Sequence, residues 1–177
     1  QIKGTGTVNI GLESTDNAQN LDIDYYDNGN NPYGRIRWHE GTANWTFQTN
    51  VTSSSTDLMT IAATGNVGIG VVPEAWHSDY DAIQLGGGGS IWSHATGGGS
   101  ASMFIGQNVY HDGAWNYINT NEASFMQFKD GTIQFATAAS GSADATITFN
   151  YPMVIDSNSR ISLSNNDSGG TGGTDST

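Results

Sequence analysis

A chain of 177 residues with a net charge of −12 and no cysteine has room for one ordinary domain or two small ones. Five basic residues against seventeen acidic ones argue against nucleic acid and against anionic membrane surfaces as partners, and without cysteine there is neither a disulfide framework nor a thiolate metal site. Only 12 % of the residues are charged; the polarity comes from Ser, Thr, Asn and Gln beside 24 glycines, a mixture that favours strands and turns over helices.

Residues 1–70 read as a first module. It opens on Thr7-Val8-Asn9-Ile10-Gly11 and alternates through Leu21–Tyr26 into a loop at Asn28–Pro32. Arg35–His39 and Asn44–Gln48 read as two strands around the turn Glu40–Ala43. Period-2 alternation puts Ile36 and Trp38 on one face with Arg35, Arg37 and His39 on the other, and Trp45 shares a face with Phe47. This hairpin is therefore expected to bury one apolar side. Thr52–Asp57 is a polar connection to the phrase Met59–Gly70, which closes the module.

Residues 71–164 read as a second, larger module. Pro73–Trp76 is expected to form one helical turn with Pro at its first position. Short strands follow at Ala82–Leu85, Ser90–Ser93, Met103–Ile105, Gln107–Tyr110, Trp115–Ile118, Phe125–Phe128, Thr132–Phe135 and Ala145–Phe149. Their turns recur every eight to twelve residues or so, the spacing of an antiparallel sandwich or prism. Residues 165–177 contain only Gly, Ser, Thr, Asn and Asp and read as a linker. The chain opens on Gln1 and is expected to be a fragment of a longer polypeptide.

One phrase occurs twice. Met59-Thr60-Ile61-Ala62-Ala63-Thr64-Gly65-Asn66-Val67-Gly68-Ile69-Gly70 aligns without a gap with Met153–Ser164 at an offset of 94 residues (153 − 59), and Ile2–Gly11 carries a partial third copy. Two short alternating strands joined by a polar turn account for the spacing. The fold class expected is all-β: an elongated fibre segment of two small antiparallel modules joined by hairpin repeats. Modules this small bury little surface alone, and their edge strands are poor in protecting lysines. Intertwined copies would relieve both problems, so a homotrimer is expected.

The phrase Thr64-Gly65-Asn66-Val67-Gly68-Ile69-Gly70, followed by Val71-Val72-Pro73, resembles the "GNVGIG-x-x-P" hairpin of bacteriophage tail fibres and related virion proteins. The second module is similar to the globular inserts of those fibres through Ile91-Trp92-Ser93, Gly106–Tyr110, Gly113–Ile118 and Ala138–Gly141. The second copy departs from the pattern, with Ser159-Arg160-Ile161-Ser162 where the first has glycines and Asn66. The resemblance implies a trimeric β-structure on the virion, outside the cell, in contact with neighbouring tail proteins and contributing to host attachment.

For a ligand, the candidate residues are Trp92, His94, Tyr110, His111, Trp115 and Tyr117. Aromatic faces match the C–H faces of sugar rings, so a host surface glycan is the ligand class expected. The competing reading is that these aromatics, Trp115 and Tyr117 above all, are core or inter-chain residues. Asp22–Asn30 has the look of a calcium loop but lacks the later bidentate Glu, and reads as a solvated acidic edge. The four histidines are dispersed in sequence, so no metal site is expected. Gly86–Ser90 lacks the Gly-Lys-Ser/Thr ending of a phosphate loop, and no carboxylate pair is selected by spacing for catalysis. No enzyme activity and no cofactor are expected. The alternatives are a carbohydrate-binding module of a bacterial surface adhesin and a fragment of a polysaccharide-depolymerising tailspike.

Overall fold

The computed structural model describes residues 20–49, 55–96 and 101–163. The N-terminal phrase Ile2–Gly11, the loop Gly97–Gly99 and the tail 165–177 lie outside the described residues. All regular elements among the described residues are strands, so the chain is all-β. It divides into two compact units, Gln1–Leu58 and Met59–Thr177.

In the first unit β1 (Leu21–Tyr26), β2 (Pro32–His39) and β3 (Asn44–Thr49) form an antiparallel meander. Ile36 lies opposite Ile23 and Phe47, and Trp38 opposite Leu21 and Trp45, the two indoles 5.0 Å apart. The alternation is the expected one, but the burial is reversed. Ile23, Tyr25, Trp45 and Phe47 on the apolar face stay exposed, whereas Thr46 and Gln48 on the polar face are buried. That polar face carries a charge ladder in place of the solvated acidic edge expected for Asp22–Asn30. Asp22 accepts a fork of hydrogen bonds from Arg37 at 2.7 Å each, and Asp24 one from Arg35 at 2.5 and 2.9 Å. Arg35 also reaches Asp22 at 3.1 Å, and Gln48 donates to Asp57 at 2.6 Å. With Arg35 directly beside it, the Asp24 carboxyl is held below the ordinary carboxylate range.

In the second unit β4 (Thr56–Ile61), which begins in the first, pairs with β5 (Val67–Ile69) as an antiparallel hairpin. β5 then pairs with β6 (Tyr80–Leu85) in parallel, which corrects the all-antiparallel expectation. The cause is Gly68. A Cβ there would stand 2.0 Å from the Val71 carbonyl oxygen and 2.9 Å from the Pro73 ring, so the chain after Gly70 doubles back over this glycine. Pro73–Trp76 consequently forms no helical turn. It crosses the sheet, with Glu74 N–H donating to the Gln84 side chain at 2.9 Å and Trp76 packed on Trp92 at 5.3 Å.

From there the sheet is antiparallel: β6, β7 (Gly89–His94), β8 (Ser102–Gln107), β11 (Asn121–Lys129), β12 (Thr132–Gly141), β13 (Asn150–Ile155) and β14 (Ile161–Leu163) lie side by side in that order. Between β8 and β11, β9 (Tyr110–His111) and β10 (Trp115–Asn116) make a small hairpin of their own. The strand expected at Ala145–Phe149 is a single bridge from Thr146 to Asn116, because this segment crosses the sheet to set Ile147 in the core. Gly86–Gly89 is a tight β6–β7 turn. Gly86, at φ +55°, donates to the Ile69 carbonyl at 2.8 Å, and Asn119 donates to the Gly87 carbonyl.

One face of this sheet is covered. Trp92 and Phe104 stack with parallel rings 4.8 Å apart, and with Ala82, Phe125 and Ala136 they form a floor on which Trp76, Val109, Tyr110, Tyr117 and Ile147 close the core. The opposite face is open and apolar. Ile61 pairs with Val67, Val67 with Ile83, Ile83 with Ile91, and Ile91 with Ile105. Ile105 continues to Met126, Met126 to Phe135, Phe135 to Met153 and Met153 to Leu163. Each strand of the sheet thus adds one apolar side chain to a single transverse row, flanked by Leu85 on one side and by Met103 and Phe128 on the other.

The hairpins share a turn. In β4–β5 the Ala62 N–H donates to Asn66 O at 2.8 Å and Gly65, at φ +94°, to Ala62 O at 2.8 Å. In β13–β14 Asp156 and Ser159 (φ +65°), 94 residues on, make the same two bonds at 2.9 and 3.0 Å. Ser159 takes the left-handed conformation that Gly65 takes, so losing the glycine leaves the turn unchanged. A third instance joins β1 to β2: Asp27 donates to Asn31 O at 3.0 Å, and Asn30, at φ +61°, to Asp27 O at 3.2 Å. Each is a turn closed by a left-handed residue, and where glycine is absent an aspartate caps it. Asp27 Oδ1 accepts from the N–H groups of Gly29 and Asn31, and Asp156 Oδ1 from those of Asn158 and Arg160.

Candidate functional site

The parallel crossover and the β9–β10 hairpin meet at one end of β6 and β7, where they assemble a half-buried aromatic edge. Pairing of β6 with β7 sets Tyr80 opposite His94, their rings 4.6 Å apart. His77 N–H donates to the His111 carbonyl at 2.7 Å and Tyr80 N–H to the His77 carbonyl at 2.9 Å, which ties the crossover to β9. In β9–β10 His111 pairs with Trp115 at a ring separation of 4.6 Å, and Tyr80 stands 4.9 Å from His111. The β9–β10 turn is held by Asn116, whose side chain donates to Asp112 at 2.6 Å.

Trp92, Tyr110 and Tyr117 are 2 %, 6 % and 6 % exposed and present no open face to a sugar. Trp92 floors the core, because β7 points it towards Phe104. Tyr110 donates its hydroxyl to Asp144 at 3.0 Å, and burial together with that carboxylate pushes it up to about 12. Tyr117 donates to the Ala139 carbonyl at 2.5 Å. His94, His111 and Trp115 remain half-buried and come together at the edge. Tyr80 and His77 join them. Neither was singled out in the sequence, because nothing local marks the end of β6 as the meeting point of two later strands.

Three of the four histidines, dispersed in sequence, thus gather around Tyr80, while His39 lies in the first unit against the Thr46 hydroxyl at 3.1 Å. Burial and the neighbouring His77 push the His111 imidazole below its ordinary range, against the pull of Asp112 and Asp79; His94 adds to the push. Burial, then Asp79, raises the Tyr80 phenol. Glu74 is raised by burial first and by Asp144 second. Among the described residues no group of three or more His, Cys, Asp or Glu side chains is placed to hold a metal ion. The arrangement offers planar faces, imidazole nitrogens and a phenol at a partly open edge, which suits stacking and hydrogen bonding to a polar ring.

No family model and no curated protein matches this chain.

Proposed function

We propose that this chain is a structural segment of a bacteriophage tail fibre, displayed on the virion outside the cell, that acts as a homotrimer alongside neighbouring tail proteins and contributes to host attachment without catalysing a reaction. The observation that carries this reading is the recurring hairpin turn, at Asp27–Asn31, at Ala62–Asn66 and at Asp156–Arg160, with the same backbone hydrogen bonds each time. A hairpin reused along a chain is the mark of β-proteins built by repetition. Here it coincides with the phrase on which the resemblance to tail fibres rests. The acidity of the chain fits a particle that must stay dissolved in a polyanionic surrounding, and its few basic residues leave no patch for nucleic acid.

The aromatic edge formed by Tyr80, His94, His111 and Trp115 supports glycan as the receptor chemistry; it equally favours the second reading, a carbohydrate-binding module of a bacterial adhesin. Light scattering before and after heating separates the two. A fibre segment gives a heat-resistant mass of about 56 kDa (three times 18.7 kDa), and a stable monomer overturns the fibre reading in favour of the module. Titration with host surface polysaccharide, followed by tryptophan fluorescence, tests attachment. A saturable change supports a receptor role, no change reduces the segment to a spacer, and new reducing ends would show a depolymerase.

A further inference from the structure

We infer that the apolar row on the open face of the second unit's sheet is the surface through which copies of this chain assemble, an inference that rests on the fibre reading only for the number of copies. Strands lie about 4.8 Å apart, so a row that takes one residue from each strand between Ile61 and Leu163 runs roughly 40 Å. The most open side chains of the face, from Ile69 through Met103 and Ile105 to Leu163, keep between 36 % and 72 % of their surface. At roughly 200 Å² for a large side chain, they leave on the order of 800 Å² of apolar surface. That exceeds the roughly 300–600 Å² of the largest patch on an ordinary monomer, and matches the 800 Å² or so that each partner gives to a stable interface.

Charge identifies the occupant. Copies of a chain carrying −12 repel one another wherever their acidic residues meet. The row from Ile61 to Leu163 is free of charge, with Asp81 at its margin in β6. A partner chosen for opposite charge would find nothing to pair with in the row, whereas an identical neutral row meets it without penalty. Side chains standing on flat strands can interdigitate with those of a second sheet about 10 Å away. The first unit adds an independent argument. Its own apolar face, with Ile23, Tyr25, Trp45 and Phe47 exposed, also lacks a cover in the described chain. A second copy carries a counterpart of each face.

The absence of cysteine makes the test clean. A nitroxide is attached to the 177-residue chain carrying Ile105→Cys, in the row, and to the same chain carrying Ser142→Cys, in the exposed connection that crosses the covered face; Ile91→Cys serves as a second site in the row should Ile105→Cys lose the wild-type near-ultraviolet spectrum. In the assembled protein the row label is expected to be immobilised and broadened by labels on neighbouring copies. The broadening should vanish on dilution with unlabelled chain, while the Ser142 label stays mobile. An assembled mass with a row label as mobile as that at Ser142 overturns this surface alone and leaves the fibre reading standing. A wild-type mass of one chain overturns both.

Discussion

Asn66 and Arg160 occupy the same place in two copies of one turn, and they predict opposite costs on truncation. Asn66 is 2 % exposed; its Oδ1 accepts the Ala82 N–H of β6 at 2.8 Å, and its Nδ2 donates to the Thr64 hydroxyl at 3.0 Å. Asn66→Ala leaves the buried Ala82 N–H unpaired, a loss of about 1–3 kcal/mol, to which the lost contact with Thr64 adds little. Arg160 holds Asp156 at 2.6 Å from a largely exposed side chain, and exposed ion pairs contribute little. Its backbone bonds to the turn survive truncation. For a protein of this size each kcal/mol moves the melting midpoint by about 2–4 °C. Asn66→Ala should therefore lower the midpoint by about 2–12 °C and Arg160→Ala by less, no more than about 4 °C. Circular dichroism melts at one fixed protein concentration measure both, since any assembly makes the midpoint concentration-dependent. Equal shifts would refute the argument that Asn66 anchors β6, and would leave the turn backbone as the whole source of stability.

The same comparison applies to Gly68 and Ser162. Gly68→Ala, with the Val71 carbonyl in the place of the new methyl, should cost about 1–3 kcal/mol or more, while exposed Ser162→Ala stays within about 0.5 kcal/mol in urea unfolding. Acid should weaken the second unit through His111. Its folded-state pKa lies below the unfolded value near 6.5, so the unfolded chain binds the proton first, and the midpoint falls as the pH drops through about 6.5 towards the folded value. His111→Asn should flatten that slope in melts between pH 7.5 and roughly pH 5, a window above the ordinary carboxylate range. Asp24 acts at lower pH and in the same direction. Its pKa is depressed beside Arg35, so its contribution is present above about pH 4 and lost as the pH falls through the depressed value; Asp24→Asn should reduce acid sensitivity only in that range.

Strands and the faces of strands were legible in the sequence because both follow from period 2. The pairs Ile36 with Phe47 and Trp38 with Trp45 are what alternation on either side of the Glu40–Ala43 turn implies. The offset of 94 residues carried through to hydrogen bonds, since a left-handed residue in the turn needs tolerance of positive φ, which Gly65 has and Ser159 accepts at a cost. The turn at Asp27–Asn31 escaped notice for the same reason in reverse. Its flanking strands share none of the Met and Ile of the phrase, and only its backbone matches. The parallel crossover was hidden because its cause is a contact between Gly68 and Val71 three residues on, which reads in one dimension as an ordinary glycine.

What alternation does not encode is which face the chain covers for itself. β6 and β7 make the point most sharply. Gln84 and Ser90 lie on the covered face at 0 % and 2 % exposure, while Ile83, on the other face of β6, keeps 44 % of its surface open. A rule that apolar residues face the core would turn these strands over. The inversion is chemically consistent all the same. The covered face is built from large aromatics, with Gln84 accepting from Glu74 N–H and the Ser90 hydroxyl donating to the Val109 carbonyl, so its polar groups tie down the connections that cross it. The transverse row of the open face carries Ile, Val, Leu, Met and Phe without polar partners to satisfy, which is the composition of an interior. A chain that places the composition of an interior on its outside, in both of its units, has the surface that the proposed assembly requires. The candidate glycan edge lies where the connections on the covered face reach the ends of β6 and β7, so the side chains that would meet a ligand and those that would meet another copy belong to opposite faces of one sheet. Assembly through the open face would leave Tyr80, His94, His111 and Trp115 accessible on every copy, and three such edges on one particle would convert weak single-site binding into avid attachment.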